Sequence, residues 1–164
     1  VWLKRRTAWN IVIGGLAGSF AVLAGAAAVS PVLSNEALLL ALILFLWTPP
    51  HFGSLSIVFR DDYAEAGVPM LPVVMGDRFA AWAIFGHAVV MVALSLVLAL
   101  LSPGWLYLVC AASGGALLVW RAAVLAFEPT RAHAMASFHA SLIPLSLLLL
   151  GTIADGWMRA ALGA

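Results

Sequence analysis

The feature that most constrains this chain is a succession of five apolar runs, at about 10–29, 37–59, 79–101, 105–127 and 132–154. Each is long enough to cross a hydrocarbon core of about 30 Å, which takes about 20 residues in a helix. Lipid offers no partner to backbone N–H and C=O groups, so a spanning run must satisfy them internally, as a helix does. Composition points the same way: of 164 residues, 65% are hydrophobic and only 9% charged, where a soluble domain carries about 25% charged. The expected fold class is an all-α integral membrane protein of five transmembrane helices, forming one helical domain over 1–164.

The few charges are informative by position. Lys4, Arg5 and Arg6 precede the first run, Arg60 and Arg78 bracket the 60–78 connection, and Arg121 and Arg131 mark the fourth connection. Alternating helices place all of these on one side and only Arg159 on the other. The Lys and Arg bias therefore predicts a cytoplasmic 60–78 loop; the expected membrane is a bacterial inner membrane. Eight basic residues shared among loops make no basic surface, which argues against a nucleic-acid partner and leaves membrane lipid as the surrounding phase. A single cysteine, Cys110, excludes an intramolecular disulfide. The chain starts at Val1, and the apolar run after Lys4-Arg5-Arg6 exceeds a signal-peptide core of roughly 7–15 residues, so it reads as beginning in mid-protein.

Three connections are short and carry breakers: Ser30-Pro31, Ser102-Pro103-Gly104 and Glu128-Pro129-Thr130. Only 60–78 is long, and long loops in compact folds are more often functional than idle. Trp9, Trp82, Trp105 and Trp157 fall near helix ends, as an interfacial belt requires, while Trp47 and Trp120 are expected to pack between helices. Gly14 and Gly18 form a G-x-x-x-G spacing, read as close internal helix packing.

The stretch from Trp47 to Asp77 holds most of the chemistry. Asp61 and Asp62 are adjacent, and one helical turn would put Asp61 and Glu65 on one face. Hard cations such as Mg²⁺ take one or two carboxylates together with phosphate and water; the alternative is a solvated acidic loop balanced by Arg60 and Arg78. His51 follows Trp47-Thr48-Pro49-Pro50, where paired prolines are expected to break or kink the second helix. It either faces a polar cavity or bonds a neighbouring helix. Among the other histidines, His139 is the stronger cavity candidate because Ser137, Ser141 and Pro144 surround it, and His87 and His133 are weaker. Lys4, Arg5 and Arg6 serve topology or form a diphosphate clamp, and Asn10 caps a helix or binds a ligand.

Four ordered blocks resemble a known family: Trp2-Leu3-Lys4-Arg5-Arg6-Thr7, Asn10-Ile11-Val12-Ile13-Gly14-Gly15, Trp47-Thr48-Pro49-Pro50-His51-Phe52, and Asp61-Asp62-Tyr63 through Ala66-Gly67-Val68-Pro69-Met70-Leu71-Pro72-Val73. They are similar to the protohaem IX farnesyltransferases, or haem O synthases, among the UbiA-type intramembrane prenyltransferases. The resemblance implies helices five to nine of a nine-helix bundle, with 60–78 as the second of two aspartate-rich motifs. It implies that Asp61 and Asp62 act catalytically by holding a Mg²⁺-diphosphate, with Glu65 as a further metal ligand. Lys4, Arg5, Arg6, Asn10 and Arg60 become diphosphate-binding candidates, and His51 and His139 haem or cavity candidates.

The implied reaction transfers a farnesyl group from farnesyl diphosphate to haem B to give haem O. Haem A synthase or the oxidase assembly machinery would be its partners. The sequence departs from the family at Ala21-Val22, where a proline pair is usual, and at Gly53, where a tryptophan is usual. It also holds only one aspartate-rich motif, so these 164 residues alone are expected to be inactive. Two alternatives stand: a sibling prenyltransferase with a quinone-precursor or chlorophyllide acceptor, for which Gly53 enlarges the pocket, and a degenerate non-enzymatic membrane paralogue.

Overall fold

A computed structural model describes residues 2–101 and 104–162. After a 3-10 turn at Leu3–Arg5, the helices are α1 (Asn10–Val29), α2 (Asn35–Val58), α3 (Arg60–Glu65), α4 (Leu71–Met75), α5 (Asp77–Leu101), α6 (Trp105–Phe127) and α7 (Arg131–Leu162). Five of them are long and apolar enough to cross a membrane, and no strand occurs among the described residues. The protein is therefore an all-α membrane-type bundle. The expected breakers Ser102 and Pro103 lie outside the described residues.

Helix ends follow from local chemistry. The Ser34 hydroxyl accepts the Ala37 N–H at 3.2 Å and caps α2. The α6 N-terminus is capped from another helix: the buried Asp155 carboxyl of α7 accepts the Tyr107 N–H at 2.8 Å, at the positive end of a helix dipole. Helix α7 continues past the expected end at Ala154 to Leu162, which brings Asp155 within the helix.

The 60–78 connection is not an open loop. It folds into α3 and α4, joined by a turn in which the Val68 N–H donates to the Tyr63 carbonyl at 2.9 Å. Gly67 (φ +64°) and Gly76 (φ +83°) supply the left-handed residues at its two reversals.

Helix α2 is the hub, packing against α1, α5 and α7, while α5, α6 and α7 pack in succession. The prolines do not break it: Pro49 and Pro50 are both buried within one continuous helix. Each removes an N–H from the ladder, and bonds to α7 hold α2 at the same level. Trp47 Nε1–H donates to the Ser141 carbonyl at 2.7 Å, and Ser54 Oγ–H donates to Ser137 Oγ at 3.0 Å. Trp120, expected between helices, instead lies exposed with the Arg121 guanidinium over its ring.

Glycines set the closest approaches. A Cβ at Gly114 would lie 2.8 Å from the Pro144 Cα of α7, and one at Gly115 would lie 2.7 Å from Val92 of α5. Two adjacent glycines thus let α6 be gripped from both sides. On α1 the close face is Gly15 with Ser19, whose hydroxyl donates to the Ala41 carbonyl at 2.8 Å. Gly14 of the G-x-x-x-G pair faces open space, with nothing within 4 Å of an added Cβ.

Candidate functional site

A groove of about 470 Å³ opens between the N-terminal turn, α1, α2 and α3. Its walls are mostly apolar, with Leu44, Trp47, Phe52 and Leu55 on the α2 side and the glycines of α1 opposite. Lys4, Asn10 and Tyr63 line one end together with Met70, and Thr48 is a further polar group part-way along, opposite Gly15. Apolar walls with a few convergent polar groups are the usual make-up of a small-molecule site.

Two contacts build that mouth. The Lys4 ammonium lies 5.1 Å from the centroid of the Tyr63 ring, a cation–π distance, and this joins the N-terminal turn to α3. Asn10 Nδ2 donates to the Thr7 carbonyl at 2.8 Å and to Met70 Sδ at 3.4 Å, which fixes the start of α1 against the segment that enters α4. Residues 60 positions apart thereby meet. Tyr63, Met70, Trp47 and Thr48 were not among the expected site residues. The signal for Tyr63 was present as an aromatic set between Asp62 and Glu65.

The acidic side chains stand at the rim. Asp61, Asp62 and Glu65 are exposed on α3 and do not line the groove, whereas Tyr63 between them does. Among the described residues no three His, Cys, Asp or Glu side chains are placed to share a metal ion. The expected trio of Asp61, Asp62 and Glu65 is therefore not gathered around one point among the described residues.

Arg60 is turned elsewhere, pairing with Asp77 at 3.2 Å across the base of the 60–78 segment. Arg6 lies over the Trp2 ring at 4.4 Å, and Arg5 is exposed. Of the basic candidates, only Lys4 lines the groove.

The histidines do not line it either. His51 is buried, with Nδ1 2.8 Å from Ser141 Oγ and its ring stacked between Trp47 (4.3 Å) and Phe138 (4.6 Å). It joins α2 to α7, so the expected bond to a neighbouring helix is found. His139 is exposed on α7, because Ser137 and Ser141, two positions to either side, are the ones turned into the bundle. His133 bonds the Glu128 carbonyl at 3.0 Å, and His87 the Ala83 carbonyl at 2.8 Å.

Gly53 lines a separate apolar recess of about 130 Å³ between α1, α2 and α5. A Cβ there would already lie 3.0 Å from Ile84. The small residue at this position serves close helix packing and leaves the Lys4 groove unchanged.

The sequence profile of the UbiA prenyltransferase family matches residues 1–162. The chain belongs to the UbiA prenyltransferase family. Its similarity to curated members is strong. Protoheme IX farnesyltransferase 2 of Paramagnetospirillum magneticum is 54% identical over 155 residues, covering 94% of this chain and 54% of the relative. Protoheme IX farnesyltransferase 1 of the same organism is 51% identical over 158 residues, covering 94% and 55%. Protoheme IX farnesyltransferase of Alkalilimnicola ehrlichii is 42% identical over 165 residues, covering 100% and 55%. The chain thus spans about half the length of these UbiA-family relatives. No solved structure matches it.

Proposed function

We propose that this chain is the C-terminal half of a protohaem IX farnesyltransferase, which transfers the farnesyl group of farnesyl diphosphate to haem B to form haem O. One observation carries the reading: Lys4, Asn10 and Tyr63 converge on the mouth of an apolar groove beside the helix that bears Asp61 and Asp62. An anionic head with an apolar tail is the complement of that arrangement. The names of the similar proteins supply the donor and the acceptor.

In this reading Lys4 presents a point charge to the diphosphate, and Asn10 fixes the turn that carries it. Asp61 and Asp62 would hold a divalent cation, taken to be Mg²⁺, that draws its remaining ligands from the diphosphate. Such an ion stabilises charge on the leaving group. The walls formed by Trp47, Phe52 and Leu55 exclude bulk water from the allylic carbon. Arg5 and Arg6, exposed on the same turn, supply a basic approach to the mouth. The Lys and Arg bias supports a mouth on the cytoplasmic side, and the membrane proposed is a bacterial inner membrane. Haem O would then pass to haem A synthase or to oxidase assembly.

The test is direct. Membranes carrying the complete gene product, given farnesyl diphosphate, haem B and Mg²⁺, are expected to yield haem O by mass spectrometry. Asp62→Ala is expected to lower the yield sharply while the protein still inserts. No haem O from the wild type, with product from another acceptor, would overturn the reading in favour of a sibling prenyltransferase.

A further inference from the structure

Three glycines of α1 line the groove, and they meet three different surroundings. A Cβ at Gly15 would lie 3.0 Å from the Thr48 side chain, so Gly15 serves close packing of α1 on α2. One at Gly18 would make an ordinary contact with Leu44 at 3.5 Å, and both residues line the groove. One at Gly14 would meet nothing within 4 Å, although Gly14 also lines it. Gly14 is therefore a place where side-chain volume enters the groove without displacing the fold.

The order along the groove follows from helix geometry. With Asn10 at the mouth, Gly14 lies about 6 Å along α1 and Gly18 about 12 Å along it, at 1.5 Å per residue. Helix α2 runs the other way, so Leu55 is toward the mouth and Leu44 is beside Gly18 at the inner end. The groove thus has a cation at one end, mostly apolar walls and Leu44 beside Gly18 at the other. Charge and shape together select an amphiphile with an anionic head and an apolar tail of limited length.

We propose that the α1 glycine face is the channel for the donor's isoprenyl tail, with Gly14 and Leu44 determining the length of tail accepted. This rests on the reading above that the diphosphate is held at Lys4. A side chain at position 14 obstructs the tail about one turn below the head. Removing the Leu44 side chain lengthens the channel.

The experiment is donor binding, which needs no acceptor. The complete gene product in lipid nanodiscs with Mg²⁺ is loaded with radiolabelled farnesyl diphosphate, and unlabelled dimethylallyl, geranyl, farnesyl and geranylgeranyl diphosphates displace it. Gly14→Leu is expected to weaken farnesyl diphosphate about tenfold, as overfilling a packed site does, and to leave dimethylallyl diphosphate nearly unchanged. Gly14→Ala is expected to fall between. Leu44→Ala is expected to raise geranylgeranyl diphosphate relative to farnesyl diphosphate. Gly25→Leu is the control, because Gly25 is also open but does not line the groove.

Equal weakening of all donors by Gly14→Leu, or no weakening of any, overturns the channel while leaving the proposed reaction standing. A length-dependent shift in a protein that makes no haem O supports the channel and removes the proposed acceptor. A wild type that binds no isoprenyl diphosphate overturns both.

Discussion

His51 Nδ1 and Ser141 Oγ lie 2.8 Å apart in the buried seam between α2 and α7. The Ser141 hydroxyl also lies 2.6 Å from the Phe138 carbonyl, and Trp47 Nε1–H donates to the Ser141 carbonyl. One serine thus gathers three partners at the level where two prolines interrupt the α2 ladder. Ser141→Ala is expected to destabilise the protein by about 0.6–2 kcal/mol, the range for a buried hydrogen bond between membrane helices. Thermal unfolding in detergent measures it. An unchanged midpoint would show that the bond contributes nothing to holding the helices together.

Asp155 and Tyr107 form a second cross-helix bond, this time at the α6 N-terminus. Asp155→Ala is expected to cost about 1–3 kcal/mol, because it leaves a buried first-turn N–H without its partner. The loss is local in origin. Hydrogen exchange is expected to show lost protection at Tyr107 before the middle of α6 is affected.

Gly114 and Gly25 have the same formal substitution and opposite outcomes. An alanine at 114 puts a Cβ 2.8 Å from the Pro144 backbone, which must move, at about 1–3 kcal/mol. An alanine at 25 meets nothing and gains helix propensity of about 0.5–1 kcal/mol. Unfolding midpoints of the two single variants should move in opposite directions.

Arg60 and Asp77 make an ion pair in which the Arg60 side chain is exposed, at 45%, and Asp77 is partly buried, at 28%, with its Oδ1 enclosed. Such pairs contribute about 0–1 kcal/mol. A double-mutant cycle with Arg60→Ala and Asp77→Ala is expected to return a coupling energy within that range. A larger coupling would mean that the α3–α4 segment relies on this pair for its position.

Tyr63 holds the Lys4 ammonium by its ring, so the ring and not the hydroxyl should matter. If the proposed reaction holds, Tyr63→Phe in the complete gene product is expected to keep KM for farnesyl diphosphate near the wild-type value. Tyr63→Leu is expected to raise it several-fold, in line with about 0.5–1 kcal/mol for an exposed cation–π contact, with kcat less affected. Equal losses in both variants would assign the role to the hydroxyl.

The sequence by itself determined the five membrane-length helices, because spanning a bilayer is a matter of apolar length, which is local; the short helices α3 and α4 came only with the structure. The sequence also marked Lys4, Asn10 and the Asp61-Asp62 pair as the polar minority worth following. Only the tertiary structure decided which of these meet. It paired Lys4 with Tyr63, gave Arg60 to Asp77, set His51 into the α2–α7 seam and turned His139 outward. It also distinguished Gly15, which packs, from Gly14, which opens onto the groove. The reason is physical. A helix in lipid is apolar on every face, so periodicity gives no inward stripe to read. Rotation and register are set by close approach and by bonds between helices, and those partners lie 48 residues apart at Tyr107–Asp155, 60 apart at Asn10–Met70 and 90 apart at His51–Ser141.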